Sequence, residues 1–403
     1  MSGVFYKEFI YHANSIKNLT VMKRNEKQKL CLIVSVFLFC QFNVTNDNYD
    51  LNQLKIIQSL LINTIFMKCT AGGKGMLNKI ILITGGTGSW GHELIKQLLE
   101  KSPKEIRVFS RNETVQFEMQ QQFINETRLK FIIGDIRDKD QLVYACQDVH
   151  YVFHLAALKH VPVCEYYPYE AIKTNIHGTQ NVIEASIQMQ VEKVIYVSTD
   201  KAADPSNTYG MTKAIGEKLM VHANVQTKKT KFICVRGGNV LGTSGSVVPL
   251  FKKQIKKSSQ IGITDVNMTR FFLTIEDAVR LLFKAAFDGR GGEIFVMKMP
   301  ACKITDLAKV LMEDSKKEYV KIKEVGIRPG EKLSEMLLSE VESKTSISFD
   351  QNYFVVLPTI PIEGLQEYYA SYPLVDVKSF SSQQDLLAKD EVKQMLLKGG
   401  FLR

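Results

Sequence analysis

The sequence predicts an α/β protein: a doubly wound parallel sheet followed by a smaller C-terminal lobe. Three observations carry that expectation. An unbroken apolar strand, Ile80-Ile-Leu-Ile-Thr84, runs into glycines and then into a helical pattern. Strand-like and helical segments go on alternating as far as Arg236. The chain has 403 residues, 45% hydrophobic and 23% charged, which allows a sizeable core and excludes a wholly disordered, collagen-like or many-span membrane protein.

In order along the chain, residues 1–75 read differently from the rest. They are rich in Asn, Ile, Lys and Phe, hold nine Lys/Arg against four Asp/Glu, and lack the strand-turn-helix pattern that starts at Met76. Leu30 to Cys40 is an apolar run of 11 residues behind Lys23, Arg24, Lys27 and Lys29. It is similar to a signal-peptide core, but it starts late and has no small-residue cleavage site. It is also short of the ~20 apolar residues of a spanning helix. The expectation is a dispensable extension with Met76 as the functional start; the alternative is a membrane-proximal anchor. Residues 76–403 carry 43 Lys/Arg against 38 Asp/Glu, too mild an excess to suggest nucleic acid as a partner. The run Lys252-Lys253-Gln254-Ile255-Lys256-Lys257 reads as a solvated helix face. Seven cysteines, at 31, 40, 69, 146, 164, 234 and 302, are scattered without a CxxC pair. Neither a disulfide framework nor a metal site is expected, and the compartment reads as reducing cytoplasm. Cys146, Cys164 and Cys234 read as small core residues.

The first strand continues into Gly85, Gly88 and Gly91 at G-x-x-G-x-x-G spacing and then a helix over His92–Lys101. Glycines so placed allow a tight turn, close approach of backbone to a pyrophosphate on the helix N-terminus, and close packing of helix on strand. A Rossmann-like dinucleotide site follows. The second strand, Ile106–Ser110, ends at Arg111, about 20 residues beyond the glycines, where an NAD site places an acid on the ribose 2′-hydroxyl. A guanidinium there suits a 2′-phosphate, so NADP is expected over NAD. Leu129–Ile133 forms the third strand, ending at Gly134-Asp135-Ile136, and Val149–Leu155 the fourth, ending at Ala156-Ala157. Val194–Ser198 and Phe232–Arg236 continue the sheet. Residues 76–242 then form mainly the cofactor domain and 243–403 mainly the substrate lobe and tail, with the chain crossing between them. Helices are expected over Thr274–Phe287, Ile304–Asp314 and Gln383–Leu397.

The chemistry lies after the fifth strand. Thr199-Asp200-Lys201 closes it, and Tyr209-Gly-Met-Thr-Lys213 follows. Tyr-x-x-x-Lys sets both side chains on one helix face. A lysine ammonium there favours the phenolate and makes tyrosine a usable base near neutral pH.

With these residues in view the chain resembles an extended short-chain dehydrogenase/reductase acting on a nucleotide sugar, from about Met76 to Leu338. Six motifs in order, Ala156-Ala-Leu-Lys-His-Val-Pro162, Lys173-Thr-Asn-Ile-His-Gly-Thr-Gln-Asn181, Ser198-Thr-Asp-Lys-Ala202, Gly238-Asn-Val-Leu-Gly242, Met268-Thr-Arg-Phe271 and Arg328-Pro-Gly-Glu-Lys332, are similar to the inverting UDP-N-acetylglucosamine 4,6-dehydratases of bacterial surface-glycan synthesis. Retaining nucleotide-sugar dehydratases have Asp-Glu where this chain has Asp200-Lys201, and the inverting ones Asp-Lys.

The resemblance implies tightly bound NADP, recycled internally, that takes hydride from C4 and returns it to C6. Lys201, neutral through desolvation or the nearby Lys213, would remove the C5 proton, and Asp200, protonated through burial, would protonate the departing C6 hydroxyl. Thr199 and Tyr209 would bind the C4 oxygen, and Lys213 the nicotinamide ribose. Gly85, Thr87, Gly88, Ser89, Trp90, Gly91, Ser110, Arg111, Asp135, Ile136, Leu155 and Ala156 would hold the cofactor. Lys159, Asn239, Val247, Thr264, Arg328 and Glu331 would hold the sugar nucleotide. Two departures stand out: Gly237 replaces the usual aromatic before Gly-Asn-Val, and Gly242-Thr243-Ser244-Gly245 lacks the usual arginine. The resemblance further implies a cytoplasmic homo-oligomer, dimer or hexamer, with no membrane partner. A UDP-sugar C4-epimerase, using Tyr209 and Lys213 without water loss, is the rival reading. A catalytically silent NADP-binding scaffold is the alternative of a different class.

Overall fold

A computed structural model describes residues 75–403 except Ser244, Ser259, Glu318 and Arg403; the proposed extension and Cys31, Cys40 and Cys69 lie outside the described residues. Strand β1 (Ile80–Thr84) is buried at all five positions. It lies between parallel β2 (Glu105–Ser110) and β4 (Tyr151–His154), so both faces are covered and its sequence has no alternation. The principal sheet has nine strands. Its parallel part runs β3 (Leu129–Ile133), β2, β1, β4, β5 (Lys193–Thr199), β6 (Lys231–Gly237), β10 (Ile294–Met297). Two antiparallel edge strands, β15 (Tyr353–Val356) and β14 (Ser346–Ser348), complete it. The doubly wound reading therefore holds, and the crossing expected beyond residue 243 is extensive: β10, β14 and β15 all return to this sheet.

Two helices position the chemistry. The first helix, α1 (Ser89–Leu99), begins three residues earlier than its apolar pattern suggests, directly after Gly88. Gly85 has φ +69°, and a Cβ on it would meet the Ala156 backbone at 2.8 Å. A Cβ on Gly91 would lie 2.1 Å from the Gly86 carbonyl oxygen, so helix and turn pack as closely as only glycine permits. The second is α7 (Thr208–Gln226), with α2 to α6 (Glu113–Gln122, Lys139–Ala145, Val161–Tyr166, Pro168–Ile172 and Gly178–Gln188) preceding it along the chain. It is N-capped by Asn207, whose side chain accepts from the Gly210 amide. Its long axis is pinned by a buried ion cluster: Arg236 on β6 binds both carboxylate oxygens of Glu217 at 2.8 and 2.7 Å, and both of Glu342 at 2.9 and 2.6 Å.

A second hydrophobic core belongs to the smaller lobe. Helix α8 (Val247–Ser258) contributes Val248, Phe251 and Ile255 to it. Leu307 and Leu311 come from α10 (Ile304–Asp314), and Val392 and Leu396 from the terminal helix α13 (Lys389–Lys398). Between α8 and α13 the remaining helices are α9 (Ile275–Asp288), α11 (Glu340–Ser343) and α12 (Leu365–Tyr369). The four lysines of the basic run are exposed on α8, as a solvated face requires. Strands β7 (Asn239–Val240), β9 (Thr269–Leu273) and β11 (Ala301–Lys303) form a small sheet, and β8 (Gln260–Ile263) pairs with β12 (Lys321–Glu324). Last, β13 (Met336–Leu338) pairs with β16 (Phe380–Ser381).

The terminal helix starts six residues later than expected, because Leu386 and Leu387 are tied to Ala301 by a bridge and a backbone hydrogen bond. Cys146, Cys164, Cys234 and Cys302 are buried free thiols. No helix among the described residues is long and apolar enough to cross a membrane.

Candidate functional site

The C-terminal ends of β1, β4, β5 and β6 open into a cleft of about 660 Å³ whose far wall is the smaller lobe. On the sheet side it is lined by Gly85, Gly88, Ser89, Trp90, Gly91, Leu155, Ala156, Thr199, Lys201, Tyr209 and Lys213. The same lining includes Lys159, Asn239, Val247, Thr264, Arg328 and Glu331. Most residues singled out from sequence thus meet in one place. Thr87, Ser110, Arg111, Asp135 and Ile136 lie outside this lining.

At the ends of β2 and β3, Arg111 Nη1 stands 3.7 Å from Asp135 Oδ2, while Arg137 binds the same carboxylate at 2.7 Å. Burial opposes the charged form of Asp135, but the two guanidiniums hold it below the usual carboxylate range. Ile136 is buried against Gly178, so its side chain packs the core.

The glycine turn suits an anion. Helix α1 starts without an acidic residue in its first turn and aims its amides at the cleft mouth. Trp90 lies beside Gly237, where a Cβ would come within 3.3 Å of the indole. That contact explains the missing aromatic at 237: Trp90 fills the space.

Thr199 ends β5 opposite Gly237 of β6. Its hydroxyl donates to Asp200 Oδ1 at 2.9 Å. Asp200 lies behind the cleft wall, 1% exposed, with its other oxygen Oδ2 unpartnered. Lys201 Nζ bridges Asp200 Oδ1 at 2.9 Å and Glu335 Oε1 at 3.0 Å. Glu335, just before β13, is 2% exposed and also leaves one oxygen, Oε2, unpartnered. Sequence reasoning missed it: one acid before a short apolar run reads as a solvated loop residue, and only the folded chain brings it to Lys201.

The expected protonation states need correction. Burial works against the Lys201 ammonium, but Asp200 and Glu335 outweigh it and hold the group above the ordinary lysine value, so it is not neutral. Tyr209 is pushed up to about 12 by burial, against the opposing pull of Lys201 and a Thr199 hydrogen bond. Lys213 supplies the expected ammonium only in part near neutral pH: burial lowers it to about 7, and its Nζ sits 3.9 Å over the Tyr196 ring.

Residues 328–333 form a strap tied to the loop between β5 and α7. Thr264 Oγ1 donates to Glu331 Oε2 at 3.1 Å, and Arg328 stands 3.9 Å from Glu331. Asn207, the cap of α7, donates to the Gly330 carbonyl at 2.8 Å, and Lys332 binds Asp204 at 2.8 Å. Arg270 donates to the carbonyls of Lys332 and Leu333 at 2.7 and 3.1 Å. A ligand held by the strap is therefore referred directly to the helix carrying Tyr209.

Comparison with known proteins agrees with this geometry. The chain is 48% identical over 288 residues to the UDP-N-acetylglucosamine 4,6-dehydratase (inverting) of Campylobacter jejuni, covering 70% of this chain and 84% of that protein. It is 41% identical over 336 residues to a UDP-glucose 4-epimerase of Rickettsia rickettsii, covering 80% and 96%. The X-ray structure of Pen from Bacillus thuringiensis superposes with a TM-score of 0.77 at 39% identity, covering 81% of this chain and 99% of that one. The family model described as polysaccharide biosynthesis protein matches residues 81–357, and the chain belongs to that family.

Proposed function

We propose that this protein is a configuration-inverting UDP-N-acetylglucosamine 4,6-dehydratase, a hydro-lyase giving UDP-2-acetamido-2,6-dideoxy-β-L-arabino-hexos-4-ulose for a surface glycan. The observation that carries it is the buried Asp200–Lys201–Glu335 cluster beside Thr199 and Tyr209. The rickettsial relative named as an epimerase supports a C4-epimerase as second reading. Hydride exchange at C4 alone, however, needs only the tyrosine and lysine of α7 and leaves a second acid/base set without work.

A bound nicotinamide dinucleotide supplies a reversible hydride acceptor. The glycine turn fits its diphosphate, because the backbone of Gly85 and Gly91 admits no Cβ and the helix start is free of acids. Arg111 favours NADP, and Asp135 shares its charge with Arg137 rather than standing free for a ribose hydroxyl. Tyr209 would take the O4 proton as a phenolate, which needs the positive charge of a bound oxidised nicotinamide against the burial that pushes its phenol up to about 12, while Thr199 holds that oxygen. Lys201 removes the C5 proton and passes it across 2.9 Å to Asp200, which delivers it to the C6 hydroxyl as it leaves. Lys159 and Arg328 suit the diphosphate of the sugar nucleotide, and Glu331 its ribose hydroxyls. Asn239, Val247 and Thr264 complete the substrate wall. The active form is a cytoplasmic homo-oligomer, dimer or hexamer; residues 76–242 supply mainly the cofactor half and 243–403 mainly the substrate half.

The test is incubation with UDP-N-acetylglucosamine in D₂O, followed by NMR and mass. Loss of one water with deuterium at an inverted C5 is expected, and a C4 epimer that keeps its water would overturn the proposal. NADP is expected to bind more tightly than NAD, with Arg111→Ala weakening NADP on the order of tenfold. Tighter NAD binding by the unaltered protein would reverse the cofactor assignment.

A further inference from the structure

Lys201 poses a problem for the reaction just described, because a lysine that removes a proton must first have lost one. The fold holds its ammonium between the carboxylates of Asp200 and Glu335. The two carboxylates are not equivalent. Asp200 Oδ1 also accepts from the Thr199 hydroxyl at 2.9 Å, and Asp200 is the residue assigned to the leaving hydroxyl. Glu335 has a poorer set of donors. Its second cation, Arg270, stands 3.8 Å away and spends its Nη hydrogens on the carbonyls of Thr269, Lys332 and Leu333. Glu335 Oε2, like Asp200 Oδ2, is buried with no partner, so the difference lies in the donor that Asp200 has in Thr199 and Glu335 lacks. A buried carboxylate in that condition gains from becoming neutral.

We propose that Glu335 is the proton partner of Lys201, a positioning residue that takes the Nζ proton once substrate fills the cleft and so releases the amine to act at C5. This inference rests on the dehydratase reading. The proton crosses the 3.0 Å between Nζ and Oε1, turning an ammonium and a carboxylate into an amine and a carboxylic acid with no change in net charge. The amine then binds the C5 proton, and the electron pair of the C5–H bond moves into the C4 ketone as an enolate. After both steps Lys201 is again an ammonium, Glu335 is a neutral acid, and the negative charge has passed from Glu335 to the enolate oxygen. The total charge of the buried site is the same throughout, which avoids placing an extra charge in a desolvated cleft.

Burial raises Glu335 above the ordinary carboxylate range, with Asp200 adding to that rise and Lys201 and Arg270 opposing it, as a proton acceptor in this position requires. The charged groups facing it are Lys201 and Asp200 from the end of β5 and Arg270 from β9. The position is held from behind, since the Glu335 amide donates to Ser382 Oγ at 2.9 Å.

The experiment uses the full chain with bound cofactor and UDP-N-acetylglucosamine in D₂O. Glu335→Gln keeps size and shape but cannot take the proton. The expected result separates two signals. The near-ultraviolet absorbance of reduced nicotinamide, which reports C4 oxidation, still forms, while deuterium exchange at C5 and water loss slow by roughly 10²–10⁴-fold. The pH dependence of turnover shifts with them, because Lys201 then has to lose its proton to solvent. Glu335→Asp, which restores a titrating group, recovers part of the C5 exchange and controls for folding. Three results overturn the proposal while leaving the dehydratase in place: Glu335→Gln turning over with the pH profile of the unaltered protein, equal loss of C4 oxidation and C5 exchange, or no recovery with Asp. If the unaltered protein makes only a C4 epimer without water loss, both the reading and this inference fall.

Discussion

Two buried charge clusters flank the catalytic helix, and they differ in one respect. Around Arg236 every group is satisfied: its three nitrogens reach both oxygens of Glu217, both of Glu342 and the Leu337 carbonyl. Around Lys201 burial is nearly as complete, yet Asp200 Oδ2 and Glu335 Oε2 have no partner. Burial alone therefore does not mark a reactive site. A saturated cluster has nowhere for a proton to go, and its worth lies in holding β6 to α7. The unsaturated one keeps acceptor capacity in reserve, which is what acid/base chemistry uses.

That contrast breaks down or sharpens under substitution. The largest effect is expected from Lys201→Met, which lowers turnover by roughly 10²–10⁴-fold and costs less melting temperature than losing Arg236, since Glu335, already held above the usual carboxylate range, takes up a proton while Glu342 is held below it. A melting loss as large as that of an Arg236 variant would erase the distinction. Next comes Arg236→Met, which strands two buried carboxylates and lowers unfolding free energy by about 3–5 kcal/mol in denaturant titrations, while the folded fraction keeps its turnover number. Replacing the whole cluster, Arg236→Met with Glu217→Leu and Glu342→Leu, restores most of that stability, because apolar packing substitutes well for a buried ion group; failure to recover would show that the carboxylates hold more than the arginine.

Lys213 gives a smaller, pH-dependent effect. The folded chain holds it at about 7 and the unfolded chain near 10.5, so the unfolded state binds more protons between those values and stability rises with pH across them. Lys213→Met is expected to raise the melting temperature of the cofactor-free protein most at neutral pH and below, the two curves converging as pH rises toward 10.5. A constant offset across the range would contradict the assignment. Smallest is Gly237→Ala, whose methyl meets Trp90 at 3.3 Å and costs no more than about 1 kcal/mol in a thermal melt.

Short-range features were legible from the chain alone. Strand β1, its glycine turn and the Tyr209/Lys213 pair depend on neighbours within a few residues, and α10 occupies the predicted Ile304–Asp314. Features set by distant partners were not. Glu335 meets Lys201 across 134 positions of sequence, and nothing near either residue announces the other. The return of β14 and β15 to the sheet edge is equally silent, because short antiparallel strands there carry the same apolar signal as lobe strands would. Protonation failed for a related reason. Motif logic pairs Tyr209 with a lysine ammonium, whereas the fold desolvates Lys213 and places Lys201 between acids instead.

Trp90 is the chain's only tryptophan, and it stands in the first turn of α1, against Gly237 and in the wall of the cleft. Its emission therefore comes from one known place. If the proposed dinucleotide enters the glycine turn, it changes the surroundings of that single indole, and a reduced nicotinamide within range would drain its excited state by energy transfer. Excited at wavelengths tyrosine does not absorb, Trp90 then serves as the protein's own optical gauge of that proposed occupancy, with no label added.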